Sequence, residues 1–246
     1  MATHWIYLSP HLDDGALSCG GMIWSQVQAG NQVEIWNIFA GDPPTGDKPP
    51  FALSLEVRWQ TGQNSMAARR AEDFLACQVL NVQAVHFALS DCIYRRLPDG
   101  SPLVNGESDL WQPIPAGEQP LEEQIARQIA ARLPRNSRLV IPLSIGDHID
   151  HRLVRAAGLR VKSPLFAYAD FPYAARPEAN LNRYLDSNWR KISFSVSDAA
   201  LTAWKTAIAC YASQITSLWS GLEEMRNSLA EYYSRGGGKA LWKITE

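Results

Sequence analysis

The sequence predicts an α/β protein in which a mostly parallel sheet is flanked by helices on both faces. Short apolar runs typical of buried strands, such as residues 5–8 and 139–143, alternate along the chain with helical patterns. Such alternation is typical of strand–helix–strand units, whose strands lie parallel. A chain of 246 residues is long enough to bury a large core. We therefore treat residues 1–246 as a single domain.

The predicted elements follow one another in a regular order. Apolar runs and alternation predict strands at residues 5–8, 32–39, 82–89, 139–143, 164–170 and 191–196. Helical spacing predicts helices at residues 17–27, 65–80, 121–133, 153–161, 198–211 and 219–233. The proline-rich segment 41–50 is predicted to be a loop, and so is segment 90–119, which we take as a candidate substrate-binding loop. A triple glycine at residues 236–238 ends the last helix.

The composition excludes several classes of protein. A net charge of -2 and an isoelectric point near 6.2 argue against broad binding to nucleic acid. We expect no membrane span, because no apolar run approaches the roughly 20 residues required. Without a secretory leader pattern, and with scattered cysteines that form no CxxC pair, we expect a cytoplasmic protein with mostly buried thiols. The cysteines are Cys19, Cys77, Cys92 and Cys210.

Two polar clusters follow predicted strands directly. The first, in SPHLDDGALSCGG, comes after strand 5–8, and the second, GDHIDH, comes after strand 139–143. In an open α/β sheet, ligands bind in the crevice beyond the carboxyl ends of the strands, so both clusters lie where a site is expected. Their histidines and acidic residues are His11, Asp13, Asp14, Asp147, His148, Asp150 and His151.

These residue types indicate metal-assisted hydrolysis. A catalytic zinc site typically has three His, Asp or Glu ligands and an open position for water, whose pKa the metal lowers to about 7. A sharp turn can direct His11 and one of the two adjacent aspartates to one metal, which leaves the other aspartate to accept the proton of the water. The alternative is that Asp13 and Asp14 only cap the following helix.

The two clusters carry a family resemblance. HLDD followed by ALSCGG, and HIDH after a buried strand, resemble the motifs of the PIG-L/LmbE family of zinc-dependent N-deacetylases. The weaker features RRAED at 69–73, SD at 90–91 and YASQI at 211–215 are also similar. The resemblance implies a Rossmann-like three-layer fold and removal of the acetyl group from an N-acetylglucosamine-type conjugate.

The resemblance also implies roles for individual residues. His11, Asp14 and His151 would bind Zn²⁺, or another divalent metal such as Fe²⁺. Asp13 would be the general base. His148 would stabilise the oxyanion or protonate the leaving amine, and Asp150 would orient His148. Two positions depart from the family pattern, because Leu12 replaces a proline and Gly15 stands where a glutamate often follows.

Further candidates for substrate binding lie outside the two clusters. Arg69 and Glu72 could hold the sugar or form a surface ion pair on a helix. Asp91 could bind sugar hydroxyls or merely begin a turn. Trp59 and Trp111 could stack on a sugar, although packing in the core or in a lid is also open.

The sequence leaves other functions open. A sugar-binding or regulatory protein of the same fold would keep these residues without turnover, and a metal-dependent phosphoesterase also uses clustered carboxylates and histidines. We expect a small-molecule amino-sugar conjugate as the partner, and the oligomeric state stays open, homo-oligomers included.

Overall fold

The chain, described here by a computed structural model over residues 2–245 apart from the side chain of Gln63, is built on a seven-stranded sheet. The strands are β1 His4–Ser9, β2 Gln32–Asn37, β3 Gln83–His86, β4 Arg138–Pro142, β5 Leu165–Tyr168, β6 Trp189–Ser193 and β7 Ala240–Ile244. The helices are α1 Asp14–Gln28, α2 Pro50–Trp59, α3 Ser65–Leu80, α4 Gln119–Arg132, α5 Ile149–Leu159, α6 Asp198–Ala209, α7 Ala212–Leu218 and α8 Leu222–Ser234.

The strand order is β3-β2-β1-β4-β5-β7-β6. The first five strands of that order pair in parallel, whereas β7 pairs antiparallel with both β5 and β6. One apolar core packs α1, α3, α6 and α8 against one face of the sheet, and a second core packs α4 and α5 against the other. This confirms the predicted α/β fold with a mostly parallel sheet covered on both faces.

Burial on both faces explains why β1 is apolar along its length. Residues Trp5 to Ser9 of this strand are all buried, and the strand lies between β2 and β4. A parallel strand covered by helices on both sides is expected to show a continuous apolar run rather than alternation.

Two glycines of α1 make room for the Trp204 side chain of α6 and for Val196 just before it. A Cβ atom at Gly20 would lie 2.4 Å from Cδ1 of Trp204, and one at Gly21 would lie 2.9 Å from Val196. The Trp204 indole N–H donates to the carbonyl oxygen of Ala16 at 2.8 Å. This contact fixes the first turn of α1, where the Asp13–Asp14 pair lies.

The order in which the chain adds strands to the sheet reverses between β1 and β4. The chain proceeds from β1 outward through β2 and β3, and β4 then pairs on the opposite side of β1 and leads to β5. A crevice opens at such a switch point beyond the carboxyl ends of the two strands. Both polar clusters begin there.

Several elements differ from the sequence-based predictions. Segment 41–50 is irregular as far as Pro49, but Pro50 begins α2, because proline is well tolerated in the first turn of a helix. Strand β7 and helix α7 were not predicted. Segment 90–119 contains only short 3-10 turns, at Cys92–Tyr94, Glu107–Trp111 and Ala116–Glu118, before α4 begins.

No helix in residues 2–245 is both long and apolar enough to cross a membrane.

Candidate active site

Asp14 joins the two polar clusters at the carboxyl ends of β1 and β4. Its Oδ2 atom lies 3.2 Å from Nδ1 of His11 and 3.2 Å from Nε2 of His151. The same oxygen accepts a hydrogen bond from the backbone N–H of His11 at 2.8 Å. One carboxylate and two imidazoles, from turns more than 130 positions apart in the sequence, therefore converge on one point.

The second ring nitrogen of each of these histidines contacts another carboxylate. Nε2 of His11 lies 3.2 Å from Oδ2 of Asp150, and Nδ1 of His151 lies 2.8 Å from Oδ1 of Asp170. Metal-ligating histidines commonly donate their other N–H to a carboxylate, which fixes the tautomer and the direction of the ring. The nitrogens that face Asp14 are thereby free to bind a cation.

The electrostatics of the cluster favour positive charge. Burial lowers the pKa of His11, but the carboxylates of Asp91, Asp14 and Asp150 outweigh it and raise that pKa well above its ordinary value. Burial also lowers the pKa of His151, but the carboxylates of Asp14 and Asp170 outweigh this effect and raise the pKa to about 9. A field that holds extra protons on two buried imidazoles also stabilises a bound metal cation.

The nitrogen donors are close enough together for one metal ion. Ring nitrogens of His11, His148 and His151 lie within 4.8 Å of one another, and so do donor atoms of His11, Asp91 and Asp150. Both groups use His11, and Asp150 is already engaged by other partners, which argues against two separate metals. The predicted metal cofactor is confirmed to the extent that the described residues can bind one ion, although the group of close nitrogen donors contains His148 and the predicted ligand Asp14 stands beside it, 3.2 Å from His11 and from His151.

Asp13 lies beside this point and does not act as a helix cap. It occupies the N-cap position of α1, yet its side chain makes no capping hydrogen bond. Burial and the neighbouring Asp14 raise its pKa to about 6. Its Oδ1 atom lies 3.7 Å from Nη2 of Arg69. The interpretation that the two aspartates only cap the helix is therefore wrong for Asp13.

Arg69 and Asp91 line the same pocket. Arg69 is 4% exposed, its Nη1 atom lies 3.9 Å from Oδ2 of Asp91, and its guanidinium stacks 4.6 Å from the ring centre of Trp59. Glu72 instead accepts hydrogen bonds from the backbone and hydroxyl of Ser213, so the surface ion pair with Arg69 is not formed. Asp91 does begin a turn through Oδ1, which accepts the N–H of Ile93 at 3.2 Å.

His148 and Asp150 are arranged differently from the predicted pair. His148 is the N-cap of α5, and its Nδ1 accepts the backbone N–H of Asp150 at 3.2 Å. The carboxylate of Asp150 contacts His11 and Arg95 instead. Asp150 therefore contacts His148 through its backbone N–H, and the expected contact in which its carboxylate accepts from the His148 ring is not formed.

Pocket walls combine these polar groups with apolar side chains. Leu55 and Trp59 of α2, Ile93 and Leu110 of segment 90–119, and Leu218 of α7 close the cavity of about 130 Å³. Trp111 is 41% exposed, and its ring centre lies 5.3 Å from that of His148. Segment 90–119 thus contributes to the pocket, as predicted for a substrate-binding loop, whereas α2 was missed.

Three supporting residues were missed from the sequence. Asp170 follows the buried strand β5, directly beside β4, and an acidic residue at that position is a signal that could have identified it. Arg95 and Glu118 lie in segment 90–119, which has no periodicity that would show which of its charges face inward.

Several known deacetylases are similar to this chain. The 2'-N-acetylparomamine deacetylase of Niallia circulans is 29% identical over 227 residues, which cover 83% of this chain and 80% of that protein. The zinc-inhibited form of teicoplanin deacetylase is 27% identical, with a TM-score of 0.84 over 99% of this chain and 98% of that one. The A40926 pseudoaglycone deacetylase is 26% identical, with a TM-score of 0.73 over 99% and 97%.

These likenesses confirm the predicted class of enzyme, a hydrolase that cleaves amide bonds as a deacetylase. The model of one protein family, PIG-L, described as GlcNAc-PI de-N-acetylase, matches residues 6–162. That region begins in β1 and ends just beyond α5, so it contains both turns that meet at Asp14. Because the match covers more than half of the sequence, the chain belongs to the PIG-L family.

Proposed function

We propose that this protein is a zinc-dependent hydrolase that removes the acetyl group from an N-acetylated amino sugar within a larger conjugate. The observation that carries the proposal is the position of Asp14 between two histidines, each of which is supported by a second carboxylate. The relatives support the substrate class, because they deacetylate N-acetylparomamine and teicoplanin.

His11, Asp14 and His151 are the proposed metal ligands. They offer Nδ1, Oδ2 and Nε2, and the contacts of Asp14 with the two rings place these atoms around one point. Zinc bound by two imidazoles and one carboxylate would supply a Lewis acid that polarises the acetyl carbonyl and brings the pKa of a bound water to about 7. Iron(II) also accepts this ligand set, so the donors do not select zinc by themselves.

Asp13 is the proposed general base. It adjoins the ligand Asp14 and lines the pocket, so it can take the proton of the water that attacks the acetyl carbon. A carboxylate with a pKa of about 6 is ionised at neutral pH and is a stronger base than an exposed aspartate. When the C–N bond breaks, the same group can return the proton to the departing amine, which leaves acetate and the free amino sugar.

His148 is the proposed oxyanion stabiliser. Its Nδ1 accepts a hydrogen bond, so a neutral ring carries its proton on Nε2. Burial and the two neighbouring histidines lower the pKa of His148, which favours this neutral form. An Nε2–H group in the pocket wall can donate to the carbonyl oxygen as negative charge develops there.

Arg69, Asp91 and Trp59 are the proposed substrate contacts. The cavity of about 130 Å³ is smaller than a pocket for a drug-sized ligand, so we infer that it admits the acetamido end of a conjugate. Arg69 and Asp91 offer a donor and an acceptor for sugar hydroxyls, and the apolar rim leaves the remaining part of the conjugate outside.

Acetate release from N-acetylparomamine and from other N-acetylated amino-sugar conjugates tests the proposal. We expect release by the zinc-loaded parent protein, loss after chelation, and recovery when one equivalent of zinc is returned. Asp13→Asn is expected to lower the rate by about 10²–10⁴-fold while the protein still binds about one zinc per chain. Asp99→Asn, at an exposed position outside the pocket, is the matched control and is expected to retain full activity.

Other outcomes distinguish the alternative functions. Full activity of Asp13→Asn would contradict the assigned base. Saturable sugar binding without acetate release across the panel would favour a binding protein. Two zinc ions per chain together with phosphate ester hydrolysis would favour a phosphoesterase.

A further inference from the structure

Arg95 makes the closest charged contact of Asp150. Its Nη2 atom lies 2.6 Å from Oδ1 of Asp150 and 2.7 Å from Oε2 of Glu118, and its Nη1 donates to the carbonyl oxygen of Ser90 at 3.0 Å. The guanidinium also stacks 4.8 Å from the ring centre of Phe39. Its side chain is only 10% exposed, so these contacts hold the guanidinium in one position inside the protein.

The other oxygen of Asp150 faces the proposed metal ligand. Oδ2 accepts the backbone N–H of Cys92 at 3.0 Å and lies 3.2 Å from Nε2 of His11. Asp150 has no exposed surface, and a buried carboxylate needs a charged or hydrogen-bonding partner. Arg95 supplies that charge on the side away from His11. The contacts thus run in one line from Glu118 through Arg95 and Asp150 to His11.

Both ends of segment 90–119 take part in this series of contacts from Glu118 to His11. Ser90, Cys92 and Arg95 lie near its beginning, and Glu118 lies at its end, where α4 begins. The segment therefore does more than line the pocket, because its two ends meet behind His11. A shift of either end would move the Asp150 carboxylate against the ring.

We propose that Arg95 and Glu118 are positioning residues that fix the Asp150 carboxylate and, through it, the direction and tautomer of His11. This inference rests on the proposed function, in which His11 binds zinc through Nδ1. When Nε2–H of His11 donates to a firmly held carboxylate, Nδ1 is left unprotonated and pointed toward Asp14. Segment 90–119 thereby sets the zinc affinity of the site as well as the shape of the pocket.

The zinc dissociation constant, measured by competition with a chromogenic chelator, tests the inference without relying on turnover. Arg95→Met is expected to weaken zinc binding by about 10–100-fold, the usual effect of losing support for a ligand. Arg95→Lys keeps the charge but has one amine in place of the planar fork, so it is expected to restore part of the loss. Glu118→Gln, one contact farther away, is expected to have a smaller effect in the same direction.

Arg96→Met is the matched control. Arg96 is the exposed neighbour in the same segment, and it donates to the carbonyl oxygens of Gly100 and Asp47 without contacting the site. Its loss is expected to leave zinc affinity within about threefold of the parent, because contacts of an exposed arginine contribute little free energy. Equal losses in Arg95→Met and Arg96→Met would overturn the inference, because any loosening of the segment would then explain both.

Two further results separate this inference from the proposed function. Unchanged zinc affinity in Arg95→Met, with strong loss in His11→Ala, would overturn the inference and leave the proposed ligands intact. Unchanged affinity in His11→Ala would overturn both. If Arg95→Met does not fold, Arg95→Lys and Glu118→Gln decide, and parental zinc affinity in both would overturn the inference.

Discussion

The turns that follow β1 and β4 occupy equivalent places at the switch point of the sheet, yet they are held in different ways. The side-chain hydrogen bonds within the first turn, residues 9–14, join neighbouring residues, while Ile38 and Phe39 donate backbone N–H groups to the carbonyl oxygens of Ser9 and Pro10. The Ser9 hydroxyl donates to the carbonyl oxygen of His11 at 2.5 Å and accepts the N–H of Gly15 at 2.9 Å, and Asp14 accepts the N–H of His11. Its side-chain contacts are therefore local, and its distant support comes from backbone hydrogen bonds of the residues just after β2 and from the Trp204 indole.

The second turn, residues 143–148, depends on distant residues. Asp170 accepts both the N–H of Ile145 at 2.9 Å and the ring N–H of His151, and the Tyr184 hydroxyl accepts the N–H of Gly146 at 3.3 Å. Its backbone has positive φ at Ser144, Gly146 and Asp147, a conformation that needs support from its surroundings. Two turns with the same residue types thus differ in where their geometry is determined, and we expect the second to be more sensitive to remote changes.

Asp170→Ala should have the largest effect, because it removes the main support of the second turn. His151 would lose the partner of Nδ1, and the N–H of Ile145 would be left buried without an acceptor. We expect zinc affinity to fall by about 10–100-fold and activity to fall with it. Chelator competition and acetate release measure the two losses.

Asp73→Ala is the matched control for Asp170→Ala. Asp73 is an equally buried carboxylate that accepts hydrogen bonds from Asn37 and Tyr211 away from the pocket. The Asp73→Ala variant should have a lower free energy of unfolding, while its folded fraction should bind zinc with parental affinity. A comparable loss of zinc affinity in both variants would show that general destabilisation, rather than the second turn, is responsible.

The same difference explains which parts of the site the sequence could predict. His11, Asp13 and Asp14 follow a buried apolar run and precede helical spacing, so their place at a strand end can be read locally. His148 and His151 are recognisable for the same reason. The sequence joins the two turns only through the ligand set that the family resemblance implies, and the parallel pairing of β1 with β4 brings them to the same edge of the sheet.

Supporting residues could not be identified because their neighbours are distant in sequence. The family resemblance implies that Asp150 orients His148, its near neighbour in HIDH. Its side chain instead lies between Arg95 and His11, which are 55 and 139 positions away. In the fold, β7 was missed for a related reason, because its partners β5 and β6 precede it by a long stretch of helices.

A pair of glycines offers a sharper test of the two turns. A Cβ at Gly146 would lie 2.8 Å from the ring of Tyr173, and the residue has a φ of +93°, so Gly146→Ala combines a clash with backbone strain. At Gly15 a Cβ would lie 3.2 Å from Ile35, a distance that small shifts can relieve within a helix that favours alanine. We expect unfolding free energy to fall by about 2 kcal/mol for Gly146→Ala and to change by less than about 1 kcal/mol for Gly15→Ala.

Denaturant unfolding of the two alanine variants measures this difference. Tyr173 lines the pocket, so Gly146→Ala should also raise KM for the acetylated substrate. Equal destabilisation by the two substitutions would argue that the first turn is as constrained as the second.

Ser9→Ala should have the smallest effect on the metal, although Ser9 is fully buried. The substitution removes two hydrogen bonds of the first turn, but the bond between Asp14 and the His11 N–H remains. We expect a loss of about 1–2 kcal/mol in unfolding free energy, from buried groups left unpaired, and less than a tenfold change in zinc affinity. Ser18→Ala is the control, since the Ser18 hydroxyl, also buried, accepts the N–H of Phe171 at 3.1 Å outside this turn. If Ser9→Ala weakens zinc binding as strongly as Asp170→Ala does, the remaining hydrogen bond between Asp14 and the His11 N–H is not enough to hold the first turn, and the two turns do not differ in sensitivity.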